Sequence, residues 1–185
     1  MIQSPVPIQE ARFAPSYGDA EYIKDGTSVI VIANVGKLYK NLFFHDNLSE
    51  MSSDNENEEM DAEFRVYIDR KVPFEMVHLG YNMPDGKFQF SFGDGRHRMG
   101  FLARHGLKEV PLIVSLGKHP ESNIIIQNLI SKKVGRLATP EEVQAILDEH
   151  EKYFAHDAMQ NERAEARAAR SEVHRRKYED YRGRQ

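Results

Sequence analysis

Apolar positions come in short blocks of changing period along this chain. SVIVIANV (28–35) is a continuous β-branched run, the pattern of a buried strand. GKLYKNLFF follows, with Leu38, Leu42 and Phe43 on one side of a short helix. FRVYIDR (64–70) and FEMVHLGY (74–81) alternate well enough to predict two further strands. Pro84-Asp85-Gly86 is turn chemistry, because proline presets φ and glycine tolerates positive φ. KFQFSF then sets Phe88, Phe90 and Phe92 on one side of a half-buried strand, which forms a hairpin with 74–81. After Asp94 and Gly95 the period becomes helical: Met99, Leu102 and Ala103 share a face, and Gly106 supplies the stop.

VPLIVSL (110–116) predicts the next strand, and NIIIQNLISKK (123–133) a helix with Ile126, Leu129 and Ile130 inward. Thr139-Pro140-Glu141-Glu142 combines a capping threonine, proline at the first helical position and Glu three residues past the cap. Val143, Ile146, Leu147, Tyr153 and Phe154 carry that helix's apolar face. Past Met159 the face dwindles to alanines, leaving a charged helix to about Tyr178 that is solvated or bound to a partner. The whole reads as an α/β (α+β) protein with a small mixed sheet, flanking helices and a long charged C-terminal helix. Residues 1–19 form an irregular arm, 20–150 one domain and 151–185 a charged helical tail. Within the domain, the polar stretch at about 47–62 is expected to be a mobile loop.

Composition narrows the chemistry. The 185 residues include no cysteine, which excludes disulfides, thiolate zinc sites and cysteine catalysis. No apolar run approaches the roughly 20 residues of a membrane span, and the start lacks a basic segment followed by an apolar one. A cytoplasmic protein without membrane insertion is expected. The net charge of −4 hides an asymmetry: residues 46–61 contain acids and no base, whereas the chain from Arg163 onward is arginine-rich. Both stretches read first as solvated surface. The acidic one alternatively mimics DNA or masks a basic surface. The basic one either binds phosphate backbones, with Tyr178 and Tyr181 as stacking surfaces, or neutralises itself through i,i+4 pairs; the second is favoured.

FGDGRHRMG (92–100) is where chemistry concentrates. A helix that opens directly after a strand leaves backbone N–H groups unpaired at its first turn, a ready anion site. Gly95 admits a ligand close to the backbone, and Arg96 and Arg98 add donors suited to phosphate. His97 and Arg104 fall opposite the apolar stripe and should be exposed, while Arg98 sits at its edge. The candidate phosphate-binding set is therefore Gly95, Arg96, Arg98 and Arg104. Asp94 either caps the helix or holds Mg²⁺ or a nucleophilic water; a bare carboxylate beside a phosphate is repulsive. His97 suits acid–base work because histidine titrates near neutrality. A plainer reading stands beside this one: Asp94 only caps, Arg98 pairs with an acid from a neighbouring strand, and His97 is an ordinary surface residue.

FSFGDGRHRMGFLARHGLKEVPLIV resembles the signature of the ParB/sulfiredoxin-like superfamily: a strand ending in Gly-x-x-Arg, a short helix closing on a second glycine, and a strand bearing Val-Pro. Gly95, Arg98, Gly106, Val110 and Pro111 occupy those places. DGRHR followed by FLARHG is most similar to plasmid fertility inhibition factors of the oncogenic suppression group. The resemblance covers residues 74–116. It implies a small mixed-sheet α/β fold, nucleotide phosphates over Gly95 and Arg98, and, in that branch, ATP hydrolysis and DNA cleavage that block conjugative or type IV secretion transfer. Arg96 stands where sulfiredoxins carry a catalytic cysteine, which excludes their chemistry. Partition proteins have Glu-Arg-Arg where this chain has Arg96-His97-Arg98, and they continue into a DNA-reading domain not visible here.

His150-Glu151 with His156 has the look of a zinc helix, but the i+4 position after His150 is Phe154, so no metal site is expected there. Two functional readings follow. In the first, Gly95, Arg96, Arg98 and Arg104 bind a nucleotide such as ATP, and Asp94 and His97 support Mg²⁺-dependent hydrolysis, with DNA or a conjugation or secretion component as target. In the second, the fold is a non-enzymatic adaptor or DNA mimic that engages a partner, or another copy, through the acidic loop or tail helix.

Overall fold

The computed structural model describes residues 11–42, 54–116, 122–154, 164–173, 175 and 176. Its strands are β1 (Phe13–Ala14), β2 (Ser28–Asn34), β3 (Phe74–Glu75), β4 (Val77–Asn82), β5 (Gln89–Phe92), β6 (Glu109–Ser115) and β7 (Gly135–Leu137). Between them lie the helices α1 (Tyr17–Lys24), α2 (Val35–Tyr39), α3 (Asp54–Asp69), α4 (Arg96–Arg104), α5 (Ser122–Ser131) and α6 (Pro140–Phe154). Residues 164–173 are also helical and are called α7.

The β-branched run at 28–35 becomes β2, inside a five-stranded mixed sheet ordered β5-β4-β6-β2-β7. β2 is antiparallel to β6 and β7, β4 is antiparallel to β5, and β4 runs parallel to β6. In this register Leu112 lies between Val31 and Val77. The period of two then sends Val31, Leu112, Val77, Leu79 and Phe92 to one face, where Leu38, Met99 and Leu129 cover them. Ile30 and Ile113 go to the other face, packed against Ala20 and Ile23 of α1 and Leu147 of α6. Helices thus cover both faces of the sheet.

The predicted hairpin is present, closed by a 3₁₀ turn at Pro84–Gly86. FEMVHLGY divides, however. Phe74–Glu75 pairs in parallel with β1 in a separate two-stranded sheet, and only Val77–Asn82 joins the main one. The expected irregular arm is therefore ordered in part: β1 and the start of α1 lie within 1–19, while residues 1–10 are outside the described residues.

The largest correction concerns 54–70. FRVYIDR is not a strand, and 54–62 is not a loop; both belong to α3. Phe64, Tyr67 and Ile68 satisfy a helical i, i+3, i+4 spacing as well as they satisfy alternation. What decides is an apolar slot formed by Phe74, Phe101 and Leu102, which receives Phe64 with Tyr67 and Ile68 around it. The rest of the acidic stretch, 47–53, lies outside the described residues, as does Phe43.

Two faces of α4 are therefore buried. Met99 reaches the main sheet while Phe101 and Leu102 meet α3, so the predicted single stripe is too narrow. In α5 the inward set is also revised: Ile125 and Leu129 are buried, and Ile130 is 53% exposed. α6 starts as predicted, with Thr139 Oγ1 accepting from the Glu142 amide at 3.3 Å and Glu142 accepting from the Thr139 amide at 2.8 Å. α7 is not simply solvated. Ala166 is 1% exposed, and Arg70 of α3 donates to Glu165 at 2.7 Å. Among the described residues no helix is long and apolar enough to cross a membrane.

Two outcomes test this packing. A Cβ on Gly135 would lie 2.3 Å from the Ile32 carbonyl oxygen and 2.9 Å from Ala33 Cα, both backbone atoms that cannot swing aside. Gly135→Ala should therefore cost about 3 kcal/mol or more in urea unfolding; a near-neutral result would contradict the β2–β7 approach. Hydrogen bonds from Arg136 hold the Glu142 carboxyl down at about 2, below its ordinary 4.5. A depressed carboxyl contributes stability that is full above its unfolded value and lost as pH falls through the folded one. Glu142→Gln keeps the capping geometry but removes the charge. The stability gap between wild type and Glu142→Gln should be constant above about pH 5 and close as pH falls toward 2.

Candidate functional site

Strand β5 ends at Phe92, and three residues later α4 begins with Gly95 as its N-cap, at φ 79 and ψ 17. The reason for glycine there is spatial as well as conformational. A Cβ on Gly95 would lie 2.5 Å from Val77 Cγ2 and 3.3 Å from Arg98 Nη1. Glycine thus lets the turn close over β4. It also leaves the N-cap without a side-chain acceptor. Three other helix starts differ: Ser16, Asn34 and Thr139 each accept from an amide of the turn they open.

Asp94 does not cap α4. Its Oδ1 instead accepts from the amide of the next residue, Gly95, at 2.6 Å, and the side chain remains exposed. Arg96 and His97 are exposed on the first turn of α4; exposure is what the spacing predicts for His97 and for Arg104, which is also exposed. Arg98 goes elsewhere. Its Nη1 donates to the backbone carbonyl of Glu75, and Nη2 lies 3.7 Å from the Glu75 carboxylate. The plainer expectation, a pair with an acid from a neighbouring strand, describes this side chain. Arg104 sits in the last turn of α4, 2.7 Å from Asp61 of α3. Of the four candidate phosphate ligands, the structure brings Gly95 and Arg96 to one exposed turn, beside Asp94 and His97. It commits Arg98 and Arg104 to packing contacts.

Sequence spacing did not reveal a further group beside this loop. His78 Nε2 is 2.9 Å from Asp19 Oδ1, and the other oxygen of Asp19 accepts from Ser16 Oγ at 2.5 Å. His78 is the cross-strand neighbour of Gly93, whose amide donates to the His78 carbonyl at 3.1 Å. A Cβ on Gly93 would lie 3.6 Å from His78 Cβ, so glycine leaves this flank of the histidine uncovered. The available signal was a histidine alternating with Val77 and Leu79 on a strand. Its partner, on a helix much earlier in the chain, was hidden.

A carboxylate fixed through a hydroxyl and bonded to one ring nitrogen sets the orientation of an imidazole. His97 has no such orienting partner among the described residues. A metal finds less support: no group of three or more His, Asp and Glu suited to an ion occurs among the described residues. Mg²⁺ commonly takes one or two carboxylates and completes its shell with substrate phosphates and water. Asp94 fits that limited role only together with a bound phosphate. His150 is buried with Nδ1 2.9 Å from the Pro15 carbonyl oxygen, a packing role, while His156 lies outside the described residues.

Fold and site together define a mixed α/β protein in which a strand, a left-handed glycine and a short helix present an uncapped helix start beside an oriented histidine. No family model matches the chain, and no curated protein does. Among solved structures it is similar to the oncogenic suppression activity protein, a plasmid fertility inhibition factor studied as a gold(I) cyanide derivative. The match has 22% identity and a TM-score of 0.47, and it covers 68% of this chain and 66% of that one.

The fit between Val77 and Gly95 can be tested directly. Gly95→Ala should cost about 2 kcal/mol or more, combining positive φ with the clash. In a Val77→Ala background the same change should cost clearly less, a coupling read from a double-mutant cycle of unfolding free energies. Strict additivity would show that Val77 does not impose the glycine.

Proposed function

We propose that the turn at 93–98 binds the phosphates of a nucleotide, and that the protein acts in plasmid fertility inhibition, as the resemblance of residues 74–116 implies. The observation that carries the binding half is the α4 start: a left-handed glycine with no side-chain acceptor, flanked by the exposed side chains of Arg96 and His97. Backbone amides and the helix dipole favour an anion there. The Asp94 carboxylate already occupies the Gly95 amide, so it competes with an incoming phosphate. A phosphate-bound Mg²⁺ would convert that competition into coordination, with Asp94 as its single protein carboxylate.

Hydrolysis of ATP, or cleavage of DNA, would need a group that takes the proton of the attacking water. His97 was the candidate by spacing; His78, held by Asp19, is the better oriented of the two. A specific observation favours a second reading, that of a non-enzymatic adaptor. Arg98 and Arg104 are bound to Glu75 and Asp61, so two arginines of the motif serve packing in this conformation.

Thermal unfolding with ATP or pyrophosphate, with and without Mg²⁺, separates the readings. A ligand at one hundred times its dissociation constant stabilises by about 2.7 kcal/mol. Asp94→Asn should tighten pyrophosphate binding in the absence of Mg²⁺, because it removes a like charge, and should lose that advantage when Mg²⁺ is added. Arg96→Ala should weaken binding in both conditions. If neither wild type nor Asp94→Asn is stabilised by any nucleotide, the phosphate reading is wrong and the adaptor remains.

A further inference from the structure

A separate cavity of about 190 Å³ opens on the other side of Arg98, between α3, β3, α4 and α7. Its lining includes Glu63, Phe64, Tyr67, Glu75, Arg98 and Arg167, and none of the residues 93–97. Charge matching within this group is incomplete. Glu75 lies 3.7 Å from Arg98, and Glu63 lies 3.6 Å from Arg170. Arg167 has no ion pair or side-chain hydrogen bond with any described residue, although it stands at a cavity between two carboxylates that are already matched. Among the described residues the Arg167 guanidinium is thus the unmatched one, next to the rings of Phe64 and Tyr67, whose centroids are 6.4 Å apart.

We propose that this cavity is a binding site for a small monoanion carried on a flat apolar body, an aromatic carboxylate in chemical class, and that α7 supplies its anion-binding residue, Arg167. Three constraints select that ligand. Arg167 offers one positive charge that has no partner among the described residues, in a lining whose two Glu and two Arg otherwise balance; a dianionic phosphate would add repulsion from Glu63 and Glu75. Arginine receives a carboxylate through two parallel hydrogen bonds, and the adjoining rings suit an aromatic body. The volume exceeds the roughly 150 Å³ that accepts benzene in a protein interior, but falls below the roughly 300 Å³ at which drug-sized pockets begin. A whole nucleotide is too large.

The site also gives the tail a role that depends on ligand. Three groups hold α7 against α3: the buried Ala166, Glu165 on Arg70, and Arg170 on Glu63. An anion between Arg167 and the lining of α3 and α4 would add a fourth tie.

The test uses the full chain and benzoate as probe, with benzamide as the neutral isostere, benzylamine as the cation and inorganic phosphate as the dianion. Binding is read by two-dimensional NMR titration, and tail docking by the rate of tryptic cleavage in the arginine-rich 164–176 segment. Benzoate should bind saturably, with perturbations centred on 63–67 and 164–170, and should slow cleavage. Arg167→Ala should weaken benzoate by about tenfold or more, the usual scale for losing a charge-assisted bond, without changing the melting temperature of the free protein. Arg167→Lys should recover part of the loss, and Arg96→Ala should have no effect. Benzamide or phosphate perturbing 63–67 and 164–170 as strongly as benzoate, or benzoate affinity indifferent to Arg167→Ala, would overturn the proposal. Since nucleotide binding at 93–98 is read with Arg96→Ala, either site can fail without the other.

Discussion

The side chain of Val77 fills the volume that a Cβ at position 95 would need, and the placement of α4 follows from that contact. With glycine at 95 in the left-handed region, the chain turns abruptly from β5 into a helix that starts directly over β4. Met99 then meets the sheet, and Phe101 and Leu102 face α3. The same rotation aims Arg98 at Glu75 and turns Arg96 and His97 outward. A glycine N-cap is slightly the less stable choice, by only about a few tenths of a kcal/mol against a good capping residue. Burial of three large side chains on two faces of α4 readily offsets that cost, each contributing about 1.5–3 kcal/mol.

Much of this was legible from the chain. The hairpin, the glycine turn, the two helix starts at 96 and 140 and the central β-branched strand all rest on local patterns: periodicity, turn residues and capping spacing. α3 was not legible, since FRVYIDR satisfies two periods and only the slot made by Phe74, Phe101 and Leu102 chooses between them. The site divided along the same line. Exposure of His97 and Arg104 depends on helical phase alone and could be read. The ends of Arg98 and Arg104 depend on Glu75 and Asp61, carried by elements whose positions no spacing rule supplies. The pairing of His78 with Asp19 was hidden for the same reason.

The acidic segment takes on a different meaning once α3 is a helix. Asp61 receives Arg104 and Glu63 receives Arg170, while Arg70 at the end of α3 receives Glu165. Each is a partly exposed pair worth at most about 1 kcal/mol. Their value lies in orientation: opposite charges along one helix select which faces of α4 and α7 lie against it. Of the acids that looked like a mimic of DNA, Asp61 is occupied in holding one of the protein's own basic helices, α4.

That occupation bears on what an anion could do here. Of the cations in the 92–104 motif, Arg98 and Arg104 already have carboxylate or carbonyl partners, so a phosphate recruiting them would have to break those contacts first. Arg96 and His97 stand at the exposed helix start itself. The Asp94 carboxylate lies on the Gly95 amide, at 2.6 Å, as an internal anion where the external one would dock. On the proposed reading such an arrangement would suppress weak, nonspecific anions. It would admit a phosphate that brings its own divalent cation, because the cation would gain Asp94 as a ligand while the amide is released. Selectivity for a metal-bound polyphosphate over bare phosphate would then arise from one carboxylate, without a preformed metal site.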